Sequence, residues 1–366
     1  MKFGLLYEIE KTQPWGEGGQ RAIFMEALEQ IKLAEEVGFD YVWCVEHHFM
    51  GEFSLSSAPE VFLAAVSQHT SRIRIGHGVV LLPFGYNHPI RVAERAATLD
   101  IMSNGRLEFG TGRSATTYEM QPFGVDPERT RDEWDEAVRM IPKMWTQEQF
   151  EWESPSFSIP PRAVLPRPLQ QPHPPIWMAG TQPASAFLAA ERGLGFLHFS
   201  YTDPVALDEK VQKYREGIAR SEPVGAFVNE NFAGFTLMHC GRDDADAMAT
   251  GRAGAEWYVN ATNQLYAVWA KAGAQAYSWY AEQFSQGAGD SVDIERMSDD
   301  GILCIGGPDK CAQIARHYEA QGIDQLIFLV QMGGNAHEAI MESLRRFGES
   351  VIPQFQAAGA PAGRAS

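Results

Sequence analysis

Residues 41–49 read Tyr-Val-Trp-Cys-Val-Glu-His-His-Phe, and they predict a buried strand that ends in three ionisable side chains. The apolar, aromatic and β-branched run 41–45 is typical of a strand covered on both faces. Glu46, His47 and His48 follow at once, where the strand should leave the sheet. In a parallel α/β barrel the catalytic groups lie at this carboxyl end, and an imidazole there can exchange a proton near neutral pH. One histidine could instead cap the strand and pair with Glu46, but a cluster of three favours a functional role.

The composition is that of a globular protein, with 366 residues of which 45% are hydrophobic and 21% charged. The formal net charge of −17 argues against nucleic acid or an anionic membrane surface as a partner. The stretch before the first acidic residue is too short for a signal peptide, and no apolar run approaches the ~20 residues of a membrane span. The four cysteines have neither zinc-ligand nor Cys-x-x-Cys spacing, so we expect no metal site and a reducing cytoplasm.

Strand and helix patterns alternate along the chain. The predicted strands are 2–6, 41–45, 73–82, 106–110, 176–179, 195–199, 232–239 and 325–330. The predicted helices are 22–37, 59–68, 89–102, 131–145, 183–191, 204–219, 243–284, 308–321 and 337–353. Eight prolines between 154 and 175 predict an extended excursion without regular elements before the fifth strand. We expect a single domain over 1–356 and a disordered tail over 357–366.

Eight strand–helix units of this kind make a parallel sheet with right-handed crossovers. If the units close on themselves, they make a (β/α)8 barrel of ~250 residues plus insertions. An open, doubly wound sheet has the same alternation, so periodicity alone leaves both α/β folds possible.

The run Gly-Thr-Gly-Arg-Ser-Ala at 110–115 has the G-x-G-x-x-A form of a dinucleotide-binding loop. That fold needs a helix to open at the loop, whereas Pro122 and Gly124 follow too soon and residues 116–118 are poor helix formers. A nicotinamide site is therefore disfavoured. Small residues beside Arg113 still suit phosphate, because backbone N–H groups can approach closely and a guanidinium binds phosphate bidentately.

A second candidate anion site is the run Ala-Gly-Thr-Gln-Pro-Ala-Ser at 179–185, which passes from a strand into a helix. Exposed N–H groups and the positive helix end favour phosphate there, and Thr181, Gln182 and Ser185 add hydrogen-bond donors. The alternative is a plain helix cap formed by Thr181.

Aromatic residues are concentrated in the long helical pattern 243–284. They are Trp257, Tyr258, Tyr266, Trp269, Tyr277, Trp279, Tyr280 and Phe284. These side chains either pack helices together or form an apolar lid over a hydrophobic substrate.

Taken in order, several short runs resemble the bacterial luciferase-like flavin monooxygenase family over nearly the whole chain, and the luciferase α-subunit branch most closely. The runs are Glu46-His47-His48-Phe49, residues 76–83, His88-Pro89-Ile90-Arg91-Val92-Ala93-Glu94, Met102-Ser103-Asn104-Gly105-Arg106, Phe109-Gly110, Phe123-Gly124-Val125-Asp126 and Pro172-His173-Pro174-Pro175. Each is weak alone, but together they are specific. The resemblance favours the (β/α)8 barrel over the open sheet.

The resemblance also implies which residues hold reduced FMN at the carboxyl end of the strands. Glu46 and His47 match the flavin-site pair of the family, and His47 matches the catalytic histidine. Gly78 and Val79 match a non-proline cis peptide under the flavin ring. Arg113 matches the phosphate-binding arginine, and the second phosphate segment corresponds to Gly180, Thr181, Gln182 and Ser185. The branch has a reactive cysteine where this chain has Gly112, so an aldehyde substrate is not assured.

By this resemblance we expect a two-component monooxygenase, in which a separate flavin reductase supplies reduced FMN and dioxygen adds to it to give a peroxyflavin. The expected substrate is a small apolar carbonyl-type or related organic molecule, and a homodimer is expected through helices after the early strands. Two alternatives stay open. One is a deazaflavin-dependent hydride-transfer oxidoreductase, and the other is a non-catalytic flavin-binding or partner subunit.

Overall fold

Eight parallel strands close into a barrel in the computed structural model, which describes residues 1–114, 116–199, 204–267, 275–278 and 292–356. In chain order the barrel strands are Lys2–Tyr7 (β1), Tyr41–Cys44 (β2), Arg74–His77 (β3), Leu107–Gly112 (β5), Ile176–Ala179 (β8), Gly195–Leu197 (β9), Phe232–Cys240 (β10) and Gln325–Leu329 (β12). Each pairs in parallel with the next, and β12 pairs with β1 to complete the circle. The predicted (β/α)8 barrel is confirmed, and the open sheet is excluded.

Helices surround this barrel. Those in the described part of the chain are Gly19–Glu36 (α1), Pro59–His69 (α2), Pro89–Met102 (α3), Thr117–Met120 (α4), Thr130–Thr146 (α5), Pro183–Glu191 (α6), Pro204–Ile218 (α7), Asp244–Ala267 (α8), Ile294–Asp299 (α9), Pro308–Ala320 (α10), His337–Ser350 (α11) and Ile352–Gln356 (α12). Short 3₁₀ turns cover Gln121–Phe123, Pro127–Arg129 and Gln275–Tyr277. No helix among the described residues has the length and apolar character needed to cross a bilayer.

Side chains of the barrel strands alternate between two hydrophobic clusters, as period-2 geometry requires. Leu5 and Tyr7 of β1 belong to the cluster that packs against the helices. Leu6 of β1 and its register partner Trp43 of β2 belong to a second cluster, together with inward residues of β8, β9, β10 and β12. The second cluster fills the barrel. The next inward-facing positions along the strands, beyond this cluster, lie at the carboxyl end of the barrel.

The third predicted strand, 73–82, is interrupted. It consists of β3 and a two-residue strand, Val80–Leu81 (β4), separated by a cis peptide bond between Gly78 and Val79. The N–H of Gly78 still donates to Cys44 O at 2.8 Å, and β4 pairs with β5. The cis geometry that the resemblance implied is therefore present.

The absence of regular structure predicted for 154–175 is wrong. Ser158–Arg162 (β7) pairs antiparallel with Phe150–Glu153 (β6) in a two-stranded sheet. Pro160 and Pro161 fall at the register shift between the pairs Phe150–Arg162 and Trp152–Ile159, and strand prolines are confined to edges and bulges. A further short strand, Cys304–Gly306 (β11), pairs with the end of β10 and was not predicted.

The aromatic segment 243–284 is helical over α8, and residues 268–274 and 279–291 lie outside the described residues, as does the tail 357–366. Tyr258 and Tyr277 are buried, while Tyr266 packs against the small cluster that contains Tyr277. Tyr258 belongs to the second cluster, which fills the barrel, whereas Tyr277 contacts a residue of the candidate site described below. Trp269, Trp279, Tyr280 and Phe284 fall in the part that the structure does not describe.

Candidate active site

Glycines line the inner face of the barrel where β3 and β5 end. A Cβ atom at Gly110 would lie 1.9 Å from His77 O, and one at Gly112 would lie 2.4 Å from Cγ2 of Val79. Side chains are therefore excluded at both positions, and Val79 occupies the space over Gly112. The two glycines let β5 pass close to His77 and Val79, beside the cis peptide bond between Gly78 and Val79 at one side of the barrel mouth.

His47 leaves the end of β2 and pairs with a carboxylate that the sequence pattern did not reveal. Its Nδ1 atom lies 3.0 Å from Oε1 of Glu119, and the backbone N–H of His48 donates to the same oxygen at 2.9 Å. Glu119 is completely buried, whereas 16% of the His47 side chain is exposed. The buried Glu119 carboxylate thus fixes the Nδ1 edge of the His47 ring, and the opposite edge faces the barrel mouth.

Glu119 is placed by the one-turn helix α4. The hydroxyl of Thr116, the N-cap residue, accepts from the N–H of Glu119 at 3.3 Å and donates to its Oε2 at 3.1 Å. The hydroxyl of Ser114 donates to the same carboxylate oxygen at 3.3 Å. Thr-x-x-Glu is the signature of a capping box, so a local signal for α4 exists in the sequence. It shows that Glu119 folds back on the helix start, but not that His47 lies there.

The electrostatics of the pair favour the ion pair over two neutral groups. Burial acts to lower the pKa of His47, but the adjacent Glu119 carboxylate, with smaller effects from Glu8 and Glu46, raises the pKa to about 9. Burial acts to raise the pKa of Glu119, yet the His47 charge and the hydrogen bonds from His47, His48 and Thr116 lower it. At pH 7 the imidazole is therefore protonated and donates through Nδ1, and its Nε2–H remains available at the mouth.

Glu46 is occupied by protein groups. Its Oε2 accepts the N–H of Leu81 at 2.7 Å, and its Oε1 accepts from Asn87 Nδ2 at 2.9 Å and His48 Nε2 at 3.3 Å. Glu46 therefore fixes β4 after the cis peptide bond and orients His48, whose ring stacks on Tyr86. Its expected contact with a flavin stays a prediction.

The two predicted phosphate segments meet at one pocket of about 130 Å³. The lining residues are Arg113, Arg131, Trp134, Met178, Ala184, Ser185 and Leu188. The Arg113 guanidinium lies over the Tyr277 ring at 5.2 Å and donates to Thr130 Oγ1 at 3.4 Å. Among the described residues it forms no salt bridge, so its charge is available to an anion. Arg131 was not predicted, because it is the second residue of helix α5 and the motif gives no sign that this helix faces the pocket.

Helix α6 begins at this pocket with Pro183. Its N-cap is Gln182, whose side chain makes no capping hydrogen bond, so the helix cap lies one residue later than the alternative at Thr181 placed it. A Cβ at Gly180 would lie 2.8 Å from Cβ of Ser185, which shows how closely the strand end approaches the first turn. Ser185 lines the pocket; Gly180, Thr181 and Gln182 shape the approach without lining it.

Ser114 joins the histidine centre to the phosphate pocket. It follows Arg113 directly, its hydroxyl donates to Glu119, and its carbonyl accepts from the Tyr277 hydroxyl at 3.3 Å. His47 and Arg113 therefore stand on the same rim of the barrel rather than on opposite ones.

The sequence profile of one protein family, described as luciferase-like monooxygenase, matches residues 1–325. The flavin-dependent trigonelline monooxygenase oxygenase component of Acinetobacter baylyi is 32% identical over 216 residues, which are 58% of this chain and 57% of that protein. Limonene 1,2-monooxygenase of Rhodococcus erythropolis is 27% identical over 93% of this chain and 84% of its own length. The crystal structure of a monooxygenase from Streptomyces bottropensis superposes with a TM-score of 0.80 and 28% identity, covering 97% of this chain and all of that one.

Proposed function

Because the chain belongs to the luciferase-like monooxygenase family, we propose that it is the oxygenase component of a two-component system that uses reduced FMN and dioxygen. The observation that carries the proposal is the placement of His47 and Arg113 on one rim. A protonated imidazole held by Glu119 stands on this rim, and the Arg113 guanidinium, which forms no salt bridge within the described part of the chain, stands at a pocket beside a helix N-terminus. A flavin mononucleotide needs these two kinds of contact at once.

The residues present fit FMN. Arg113, Arg131 and Ser185 in the first turn of α6 would hold the phosphate, because guanidinium groups, a hydroxyl and the positive end of a helix are partners that phosphate prefers. The segment Gly78–Val79, packed onto Gly112, would support the flavin ring at the barrel mouth. When bound, reduced FMN would supply the electrons that activate dioxygen.

His47 would supply a charged hydrogen-bond donor at the mouth. Its Nδ1–H is committed to Glu119, so Nε2–H is the proton it presents to the reacting groups. Glu119 keeps the ring in one orientation and keeps it charged, which is the role of a carboxylate behind a catalytic histidine. The network through Ser114 and Thr116 fixes Glu119 in turn.

An apolar substrate is supported by aromatic residues at the rim. Phe49 and Tyr118 are mostly exposed and lie edge to face, with ring centroids 6.5 Å apart, and Phe123 lies 5.8 Å from Phe49. Exposed aromatic side chains beside a polar centre are typical of a site for apolar ligands. We propose a small apolar carbonyl-type or related organic molecule as the substrate.

A separate flavin reductase would deliver the cofactor. After the G-x-G-x-x-A run the structure has only the one-turn helix α4, so the long helix of a dinucleotide-binding loop is missing from this place. We also propose a homodimer, since helices α2 and α3 expose Val61, Ile101 and Met102. A cytoplasmic location agrees with four buried free cysteines.

The alternative cofactor is a deazaflavin, which carries a further anionic tail beyond its phosphate. The surface groove next to the phosphate pocket shares Arg131 and Leu188 with it, but also presents Asp132, Asp135 and Glu136. Arg139 and Arg192 are both paired with Asp135, at 2.7 and 3.0 Å. With Arg131 the groove carries three arginines and three carboxylates, so it offers no surplus positive charge to an anionic tail, which favours FMN.

The deciding experiment supplies chemically reduced FMN or reduced deazaflavin, without a reductase, and follows ¹⁸O from ¹⁸O₂ into a panel of apolar ketones, aldehydes and alkenes. We expect ¹⁸O in one product with FMN only, and its loss in His47→Ala with FMN binding retained. Deazaflavin-dependent reduction without ¹⁸O incorporation would favour the hydride-transfer enzyme. Tight flavin binding with no turnover of any kind would favour the non-catalytic subunit.

A further inference from the structure

Glu8 stands beside the His47 centre, formed by His47 and Glu119, and the function proposed above assigns it no role. Leu6 and Trp43 are register partners that face the barrel interior, and the N–H of Val45 extends this pairing by donating to Tyr7 O at 3.2 Å. Because side chains alternate, the Glu8 side chain faces the barrel interior, as that of Leu6 does. His47 lies at the second inward-facing position beyond Trp43. Glu8 and His47 are therefore diagonal neighbours above the same inner layer.

The Glu8 side chain is 4% exposed and only half satisfied. Its Oε1 accepts the Tyr258 hydroxyl at 2.8 Å, whereas Oε2 is buried with no hydrogen-bond partner among the described residues. The hydroxyl of Ser54 fixes the backbone by donating to Glu8 O at 2.7 Å. A buried carboxyl oxygen without a partner costs free energy, so Glu8 is held at the barrel mouth against that cost.

We infer that Glu8 is a positioning residue of the His47 centre, and that its carboxyl, fixed by Tyr258, sets the charge that the imidazole can hold. The Phe53 ring connects the two sides of this arrangement. It stacks on Tyr258 with ring centroids 5.4 Å apart, and it meets the His47 ring edge to face at 6.1 Å. A movement of Tyr258 would therefore displace both the Glu8 carboxyl and the packing of His47.

The ionisable groups that face Glu8 come from three other elements. They are His47, which follows β2, Glu119 from α4 and Tyr258 from α8; Cys44 of β2 acts on Glu8 from the outer face of the strand, and Glu10 lies further along its own segment. Burial raises the pKa of Glu8 to about 7, although the His47 charge and the Tyr258 hydrogen bond act to lower it. The negative charge of Glu8 in turn raises the pKa of His47. Near neutral pH the group that changes ionisation is therefore Glu8, while His47 stays protonated.

The consequence for turnover rests on the proposed function. Below neutral pH the His47–Glu119 pair holds one positive and one negative charge. Above it Glu8 adds a second negative charge without removing the His47 proton. The pH dependence of oxygenation near neutrality should then follow Glu8, and Glu8→Gln should flatten it.

The direct test needs no cofactor and no activity. The His47 imidazole is titrated by NMR in the flavin-free protein, with its signal identified by its loss in His47→Gln. Removing the Glu8 charge should lower the His47 midpoint in Glu8→Gln. The matched control is Glu10→Gln. Glu10 is also buried, with an Oε2 that lacks a partner among the described residues, but it accepts the N–H of Gly333, lines a separate cavity of about 300 Å³ and is not among the charges that act on His47. Its variant should leave the midpoint unchanged. An identical His47 midpoint in the wild type and Glu8→Gln overturns the inference.

Tyr258→Phe provides a second test that keeps the carboxyl. Loss of the hydroxyl removes a hydrogen bond that lowers the pKa of Glu8, so the small inflection that Glu8 imposes on the His47 chemical shift should move to higher pH. An inflection that stays in place contradicts the role given to Tyr258. If Glu8→Gln fails to fold by circular dichroism, this variant alone decides. Because both readouts are titrations, they stand even if the monooxygenase proposal fails.

Discussion

The Nδ1 atom of His47 lies 3.0 Å from Oε1 of Glu119, although the two residues are 72 positions apart in the chain. This contact fixes one imidazole nitrogen and leaves the other facing the barrel mouth. It also decides the protonation state, since burial alone would favour the neutral ring.

Replacement Glu119→Gln should therefore lower the pKa of His47, because the carboxylate that opposes burial is gone. NMR titration of the imidazole measures this change directly, and oxygenation should fall by about tenfold or more if a charged donor is required. An unchanged midpoint in Glu119→Gln would show that Glu119 does not control His47.

The same pair predicts a pH dependence of stability. The folded-state pKa of His47 is raised from 6.5 to about 9, so its contribution is complete below pH 6.5 and is lost as the pH rises through about 9. The pKa of Glu119 is lowered from 4.5, so its contribution to stability is present above pH 4.5 and is lost as the pH falls below that value and through the lowered pKa. The free energy of unfolding of the wild type minus that of Glu119→Gln should be largest near pH 5 to 6 and decline toward pH 10. A flat difference from urea unfolding would exclude the ion pair.

Arg113→Ala should reduce FMN affinity by about tenfold to a hundredfold, because a charged hydrogen bond to phosphate contributes on the order of 1.5–3 kcal/mol. Riboflavin lacks the phosphate, so its affinity should change little. Fluorescence titration with both flavins separates the two effects. The control is Arg129→Ala, since Arg129 is exposed, pairs with Glu133 at 3.2 Å and lies outside the pocket. Equal losses of affinity for FMN and riboflavin in Arg113→Ala would show that the phosphate does not bind in this pocket.

Gly112→Ala should force Val79 out of its position, since the added Cβ would lie 2.4 Å from Cγ2. We expect a loss of about 1–3 kcal/mol in the free energy of unfolding, as for overpacked cores, together with weaker flavin binding. Gly234→Ala in β10 is the matched control, because its nearest contact would be an ordinary 3.4 Å. Thermal unfolding and flavin titration of both variants check the prediction, and an unperturbed Gly112→Ala would show that Val79 is not tightly packed against Gly112.

Glu8→Gln should stabilise the protein at high pH. The folded-state pKa of Glu8 is raised from 4.5 to about 7, so the wild type loses stability as the pH rises between these values. The variant has no charge to bury and should gain up to about 3 kcal/mol over the wild type at pH 8, but little at pH 4.5. Urea unfolding at both pH values measures the gain, with Glu29→Gln on the exposed face of α1 as the control. No gain in the free energy of unfolding at pH 8 would mean that ionisation of Glu8 does not destabilise the folded protein.

Much of the barrel could be read from the sequence, because its signals are local. Pro59, Pro89, Pro183 and Pro308 begin helices at the positions where proline costs nothing, and the apolar runs between them are buried strands. The β6–β7 hairpin was missed because a proline-rich strand is allowed only at an edge, and edges are a property of the whole sheet. The site residues also divide into those with a local sequence signal and those without one. His47 and Arg113 follow strands and could be named, whereas Glu119, Arg131 and Glu8 reach the site only through the closure of the barrel.

The most direct measurement is stopped-flow absorbance of the protein premixed with reduced FMN and then mixed with dioxygen. The account predicts a species that is neither reduced nor oxidised FMN, that outlasts the oxidation of free reduced FMN and that decays faster when the true substrate is added. Arg113→Ala should show the behaviour of the free flavin. Oxidised FMN that appears in the wild type at the rate seen without protein would contradict the account.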